Sequence, residues 1–339
     1  MSKIFNVGLI GAGRIGKIHI ENLIHHIPDV KLKLISDIKI NDELTQWANQ
    51  LGIPTITNNA TDVFKDPEID AVIIASSTDT HAEFIQKAAK AKKHIFCEKP
   101  LDTNVKRIKD IIATIKNENV KFMVGFNRRF DRNFRRVYEV VDSGQIGRPQ
   151  IIKITSRDPT PPPIEYIKIS GGIFIDMSIH DWDMARFLAK SEVEEVYTNG
   201  ANLINPEIGK AGDIDTAVAL LKFKNDALGI IDNSRQAVYG YDQRAEVFGS
   251  EGCVIADNRP SNTVEIYTKK SIKKDKIPYF FLERYKDSYI NELIFFFNCL
   301  KKNINPSPNS EDALQSILVA KAAQKSYNEN RAVKISEIY

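Results

Sequence analysis

The sequence predicts an α/β protein of two domains, the first with a parallel sheet built by βαβ crossovers and the second with a mostly antiparallel sheet. Three observations predict it. Short β-rich runs alternate with helical stretches from Phe5 to about Val124, whereas runs of strands without intervening helices follow Gly125. The length of 339 residues also exceeds what one ordinary core holds. The domains are expected to be 1–124 and 125–339.

In chain order, Asn6–Ile10 reads as a first strand and Ile15–Ile27 as a helix, followed by a strand over Lys31–Ser36 and a helix over Asp42–Leu51. Ala71–Ala75 (AVIIA) is apolar at every position, as a strand buried on both faces must be, and His81–Lys92 is the helix after it. His94–Cys97 and Phe122–Val124 are further strands, with Val105–Asn117 helical between them. The second domain reads as strands over Ile151–Ser156, Glu194–Leu203, Thr216–Phe223, Ala227–Ser234, Arg244–Gly249, Gly252–Asp257 and Thr263–Tyr267. Apolar residues at helical spacing then predict helices over Tyr285–Lys301 and Ser310–Asn328, which are expected to return to the first domain. Pro159 and Pro161–Pro163 stiffen an extended loop, and the basic Lys269–Lys276 reads as a solvated loop.

Composition narrows the function. With 47 basic against 44 acidic residues, no strong field draws the chain to nucleic acid or to a membrane surface. Cys97, Cys253 and Cys299 are odd in number and far apart, so they form neither a disulfide framework nor a zinc spacing, as expected in a reducing cytosol. No signal peptide or membrane-spanning run is apparent. A cytoplasmic protein is expected.

Gly11-Ala12-Gly13-Arg14-Ile15-Gly16 fits G-x-G-x-x-G between a strand and a helix. The first glycine permits the turn, the second lets backbone approach a pyrophosphate, and the third allows close helix packing. Asp37 lies 21 residues past Gly16, where a carboxylate can accept a bond from the adenosine 2′-hydroxyl and would repel a 2′-phosphate. NAD is therefore the expected cofactor, although Lys39 lies close enough to blunt the preference. Ser76, Ser77, Thr78 and His81 follow the AVIIA strand at its carboxyl end, where ligands of open α/β sheets bind. Thr78 or Asp79 could equally cap the next helix. Glu98, Lys99 and Pro100 follow the next strand, where Glu98 and Lys99 are expected cofactor contacts and a lysine can stabilise an alkoxide near a nicotinamide.

Ser170–Leu188 (SGGIFIDMSIHDWDMARFL) places Asp176 and His180 four residues apart at what reads as the start of a helix, hence on one face. A carboxylate beside an imidazole is an acid/base arrangement. Asp183 continues the face, but a metal held by Asp176, His180 and Asp183 lacks further nearby ligands, and none is expected. Asn127, Arg129, Asp158, Ser178 and Tyr239 are candidate polar partners of a substrate rich in hydroxyls. Arg129 could instead be an ion-pair partner, and the Tyr239 ring could serve core packing.

GLIGAGRIG, the EKP run, GGIFIDMSIHDWDMARFL, SRDPTPPPIEYIKISGG and NSRQAVYGYDQRAEVFGSEG together resemble the Gfo/Idh/MocA oxidoreductase family, in particular its inositol-oxidising branch, over nearly the whole chain. The resemblance implies a Rossmann domain, an open-sheet α/β domain that supports a homotetramer, and a small polyol as substrate. It further implies that Lys99, Asp176 and His180 are the catalytic trio and lends Tyr239 most of its support. A different polyol or sugar, or a non-catalytic NAD-binding regulator, is the alternative.

Overall fold

The structure, a computed structural model, describes residues 3–338. It divides into two compact units. The first runs to Phe130 and takes in Asp287–Leu314; the second holds Asp131–Lys286 and the chain from Gln315 onward.

The first unit follows a repeating strand–helix order: β1 (Phe5–Ile10), α1 (Arg14–His26), β2 (Val30–Ser36), α2 (Asp42–Gln50), β3 (Thr55–Thr57), α3 (Thr61–Lys65), β4 (Ala71–Ile74), α4 (Thr78–Lys90), β5 (His94–Glu98), α5 (Val105–Glu118) and β6 (Phe122–Gly125). All strand pairs are parallel and the order is β3-β2-β1-β4-β5-β6. This is the doubly wound Rossmann arrangement, in which the strand order reverses between β1 and β4 and opens a crevice at their carboxyl ends. All four residues of β4 are buried, as its unbroken apolar run requires. In α5, Ile108, Ile111, Ile112 and Ile115 form the buried stripe, and Asn104 caps the helix by accepting from the Arg107 N–H.

The second unit contains α6 (Arg132–Asp142), β7 (Pro149–Arg157), α7 (Ile164–Ser170), α8 (Ile173–Asp176), α9 (Ile179–Ala189), β8 (Val193–Ala201), α10 (Pro206–Lys210), β9 (Thr216–Phe223), β10 (Leu228–Ser234), β11 (Asp242–Gly249), β12 (Cys253–Ala256), β13 (Glu265–Tyr267) and β14 (Ile272–Lys274). The last elements are α11 (Phe281–Lys302), α12 (Ser310–Glu329) and β15 (Val333–Lys334). Seven strands form one sheet in the order β12-β11-β7-β10-β9-β8-β15, antiparallel except for the β7–β10 pair. In β9, Ala217, Ala219, Leu221 and Phe223 point inward while Val218 and Leu220 are about half exposed, so the outer face carries an apolar row.

Several expectations are corrected. Asp176 and His180 do not share the start of one helix: α8 ends at Asp176 and α9 begins at Ile179, with Met177 and Ser178 between them. Lys269–Lys276 is not all loop, since Ile272–Lys274 pairs with Glu265–Tyr267 in a separate hairpin and Lys274 Nζ meets Glu265 Oε1 at 2.6 Å. Cross-strand charge pairing of this kind favours an exposed strand that its basic composition hides. Helix α7 starts directly after Pro163, which pre-sets the entry to the helix.

Candidate active site

The first unit supplies a dinucleotide cradle. Gly11 has φ +94°, and a Cβ there would meet the Ser76 backbone nitrogen at 2.5 Å. A Cβ at Gly16 would lie 1.8 Å from the Gly11 carbonyl oxygen, whereas one at Gly13 would meet no protein atom within 4 Å. The turn and the helix packing thus need the outer glycines, and the middle one faces open space. Gly13 is also the N-cap of α1, makes no side-chain cap bond, and no acidic residue occupies the first helical turn. Unshielded amide donors at a positive helix end suit a pyrophosphate. Arg14 is exposed at this end and Ile15 half-buried.

Asp37 lies just past β2. Its Oδ2 accepts from the Ala12 N–H at 2.7 Å and its Oδ1 from the Lys39 N–H at 2.7 Å, so it fixes the glycine turn as well as standing where a ribose would bind. Lys39 is exposed. On the other side of the crevice Ser76 Oγ lies 2.7 Å from Thr80 Oγ1, which donates to the Ser77 carbonyl. Ser77 is the N-cap of α4 without a side-chain cap bond, and Thr78 is half-buried.

Two expected cofactor contacts are corrected. His81 is buried, with Nδ1 2.8 Å from the Pro100 carbonyl oxygen and Nε2 2.9 Å from that of Ser76. A carbonyl oxygen faces each ring nitrogen, and whichever nitrogen carries the proton donates, so the ring is lodged between the loop after β4 and the loop after β5. Glu98 turns inward, with Oε1 2.7 Å from Nε2 of the buried His19. The half-buried Lys99 follows it at the end of β5.

Arg129 is likewise a structural residue. It is buried, Nη2 meets Asp312 Oδ1 at 2.9 Å and Nη1 meets Ser307 Oγ at 3.3 Å, so its guanidinium holds the approach to α12. Its neighbour Asn127 is also buried, in the short 3₁₀ turn after β6.

In the second unit Asp176 and His180 are both half-buried. Met177 and Ser178 keep right-handed helical backbone (φ −87°, ψ −59° and φ −73°, ψ −8°), which preserves about one helical turn between Asp176 and His180 across the break. Asp176 Oδ1 accepts from the Tyr166 hydroxyl at 2.9 Å, and the Nδ1 of His180 is shielded from solvent. Helix α9 is buried on nearly every side, so its polar residues need interior partners. Asp181 Oδ2 accepts from Asn233 Nδ2 at 2.9 Å, and Trp182 Nε1 donates to the Phe174 carbonyl at 2.9 Å. Asp183 is buried beside Arg186, 3.5 Å away, and is therefore an ion-pair partner rather than a third member of an active face.

Ser178 is fully buried and donates to Asn233 Oδ1 at 2.7 Å, which makes it a brace for α9 and not a direct polyol contact. Tyr239 is 43% exposed, but its hydroxyl donates to Asp242 Oδ2 at 2.5 Å and accepts from Arg157 Nη1 at 3.3 Å. Burial and the Asp242 charge push the phenol up, so it stays protonated as a donor. The half-buried Asp158 has its backbone engaged with Ser234 and Ala237.

Sequence reasoning missed Tyr166, Asp213 and Arg235. Asp213 Oδ1 accepts from the Ile173 N–H at 3.0 Å and so caps α8, which carries Asp176. Such a cap forty residues away in sequence has no local signature. His19, Glu98 and Glu292, buried together in the first unit, were also unforeseen; the visible signal was a histidine on the apolar side of α1.

Residues 5–126 match the model of the oxidoreductase family with an NAD-binding Rossmann fold, and residues 134–255 match the GFO/IDH/MocA C-terminal domain. The chain is 50% identical to the myo-inositol 2-dehydrogenase of Thermotoga maritima, over 98% of this chain and 99% of that one. The chain belongs to the GFO/IDH/MocA oxidoreductase family. Among solved structures, a probable dehydrogenase from Thermotoga maritima superposes on this family member with a TM-score of 0.96 at 49% identity, covering 99% of this chain and 100% of that one. The scyllo-inositol dehydrogenase of Lactobacillus casei with bound NAD(H) and scyllo-inositol gives a TM-score of 0.92 at 31% identity, covering 98% and 100%. The cofactor of this GFO/IDH/MocA oxidoreductase is NAD, and the open approach at Gly13, the bare α1 terminus and the Asp37 carboxylate fit it.

Proposed function

We propose that this oxidoreductase is an inositol 2-dehydrogenase that oxidises myo-inositol to 2-keto-myo-inositol. The observation that carries the reading is the half-identity, from end to end, with a relative named for that reaction. The second unit's support of Asp176 by Tyr166 and of α9 by Ser178 and Asn233 agrees with it.

NAD, when bound, supplies the hydride acceptor. His180 takes the hydroxyl proton as general base, and Asp176, its Oδ1 fixed by Tyr166, orients the imidazole and raises its basicity. Lys99 stabilises the developing alkoxide and relays the proton. Asn127, Asp158 and Tyr239 remain the candidate partners of the other ring hydroxyls. A homotetramer acting in cytoplasmic inositol breakdown goes with this reading. The apolar outer row of β9 supports self-association, and no helix among the described residues is long and apolar enough to cross a membrane.

A second reading, scyllo-inositol as the preferred isomer, is favoured by the likeness to the Lactobacillus casei enzyme. Initial rates of NADH formation with myo-, scyllo- and chiro-inositol and glucose, each repeated with NADP, separate the two. Turnover led by myo-inositol with NAD is expected. Turnover led by another polyol would move the substrate, and silence from protein that binds NADH would favour a regulator.

A further inference from the structure

Glu292 lies on α11 within the first unit and is fully buried. Neither of its carboxylate oxygens has a hydrogen-bond partner among the described residues. A carboxylate oxygen of Glu292, one of Glu98 and a ring nitrogen of His19 all lie within 4.8 Å of one another. His19 is itself fully buried, edge-on to Phe96 and Tyr289 at centroid distances of 5.2 and 5.9 Å. Among the described residues, the histidine and acidic groups gathered with Glu292 are thus His19 from α1 and Glu98 from β5, and the Tyr289 ring of α11 packs on His19.

Glu98 is boxed in. A Cβ at Gly125 of β6 would stand 3.0 Å from its Oε1, and His19 holds the same oxygen at 2.7 Å. A second carboxylate charge within 4.8 Å in a dry interior is repelled, which favours a proton on the fully buried Glu292. Burial pushes the Glu292 acid well up, with the Glu98 charge adding to the effect. A protonated acid has one O–H to place, and the Glu98 carboxylate, with an oxygen within 4.8 Å, is the acidic group gathered with it.

We propose that Glu292 is a positioning residue: as a carboxylic acid it shares its proton with Glu98 and thereby fixes the end of β5 that presents Lys99. Glu98 is then held from two sides, by the helix that begins at the glycine turn and by α11. The assignment to catalysis rests on the dehydrogenase reading; the shared proton does not. A divalent cation is the rival occupant of an imidazole–carboxylate–carboxylate cluster. Ligands on a tetrahedral ion with bonds of about 2 Å stand roughly 3.3 Å apart. The 2.7 Å contact between His19 and Glu98 is a hydrogen-bond length instead.

Infrared difference spectroscopy of wild type against Glu292→Gln tests the proton directly. The carbonyl stretch of a protonated carboxylic acid is expected at neutral pH and is lost in the variant. Glu292→Gln, whose amide can still donate to Glu98, should retain turnover within about threefold. Glu292→Leu should lose about tenfold or more in kcat, with the KM for NAD changing less than about threefold. Its unfolding temperature should fall, because Glu98 loses a donor, so kcat is read per folded enzyme; the variant that still donates should keep the wild-type value. Absence of the band, equal losses in the two variants, or a divalent ion copurifying one per chain would overturn the proposal. Neither the spectrum nor the unfolding temperature depends on substrate, so an enzyme inactive on every inositol would sink the functional reading while leaving the shared proton standing.

Discussion

Arg235 Nη2 stands 3.0 Å from Asp213 Oδ2, and both side chains are almost wholly buried. The other oxygen of Asp213 caps α8 at Ile173, three residues before Asp176, and a Cβ at Gly172 would lie 2.9 Å from it. A buried ion pair thus anchors the start of the helix that delivers a proposed catalytic carboxylate. Arg235→Met leaves Asp213 buried and uncompensated, a loss of about 3–5 kcal/mol. Urea unfolding measures that cost, and kcat should fall in whatever fraction stays folded.

The glycine turn separates binding from folding. Gly13→Ala adds a methyl that meets no protein atom within 4 Å, so the unfolding temperature should hold. The same methyl intrudes where the pyrophosphate would approach, and the Kd for NADH should rise about tenfold or more, some 1.4 kcal/mol. Gly16→Ala, with its 1.8 Å clash against the Gly11 oxygen, should fail to fold or lose the α1 packing. Fluorescence titration with NADH and thermal melts distinguish the two variants.

Replacing His180 with Ala should cut turnover by ~10²–10⁴, the usual share of a general base. NADH affinity should survive, since the glycine turn and Asp37 lie in the first unit. A variant with full turnover would remove the proposed base.

Acid stability should depend on Asp215. Burial pushes its acid up, but N–H bonds from Leu203, Asn205 and Ile204 and the Thr216 hydroxyl outweigh that and hold it below the ordinary carboxylate range. Because the folded value lies below the unfolded one, about 3.9, the stabilisation is complete above the unfolded value. It is lost as pH falls through the folded one. Asp215→Asn should cost about 1–3 kcal/mol near neutrality. It should also flatten the decline in stability below about pH 4, read from urea midpoints across an acid pH series.

Association should depend on β9. Leu220→Asp places a charge on its outer face, next to Val218, without touching the buried face. Sedimentation should show a shift to smaller species if that row is an interface between copies, and no shift would remove it from the proposal.

Most of the first unit was legible because its signals are local. An unbroken apolar run makes β4, and three glycines make the turn before α1. Where readings failed, the deciding partner lay far along the chain. Arg129 could be read as a substrate ligand until Asp312 was found beside it, and Ser178 until Asn233 was. His81 has a position suited to cofactor contact and a buried ring already lodged between two carbonyls. Asp183 followed a helical face whose later part is buried, where Arg186 lies beside it. Residue spacing along the chain states what a side chain could do; only the fold states what already occupies it.

The return of Asp287–Leu314 to the first unit bears on how the chain is made. Leu293, Phe296, Phe297 and Leu300 share one core cluster with Phe5, Val7 and Leu9 of β1. A ribosome delivers β1 well before these side chains, so the nucleotide-binding half waits, unsealed, while the strands from β7 to β14 emerge. The second unit's sheet, whose strands β7 to β12 are contiguous, can assemble much of itself in the meantime. An N-terminal fragment cut after residue 130 would lack this seal and should expose apolar surface rather than behave as a free-standing domain.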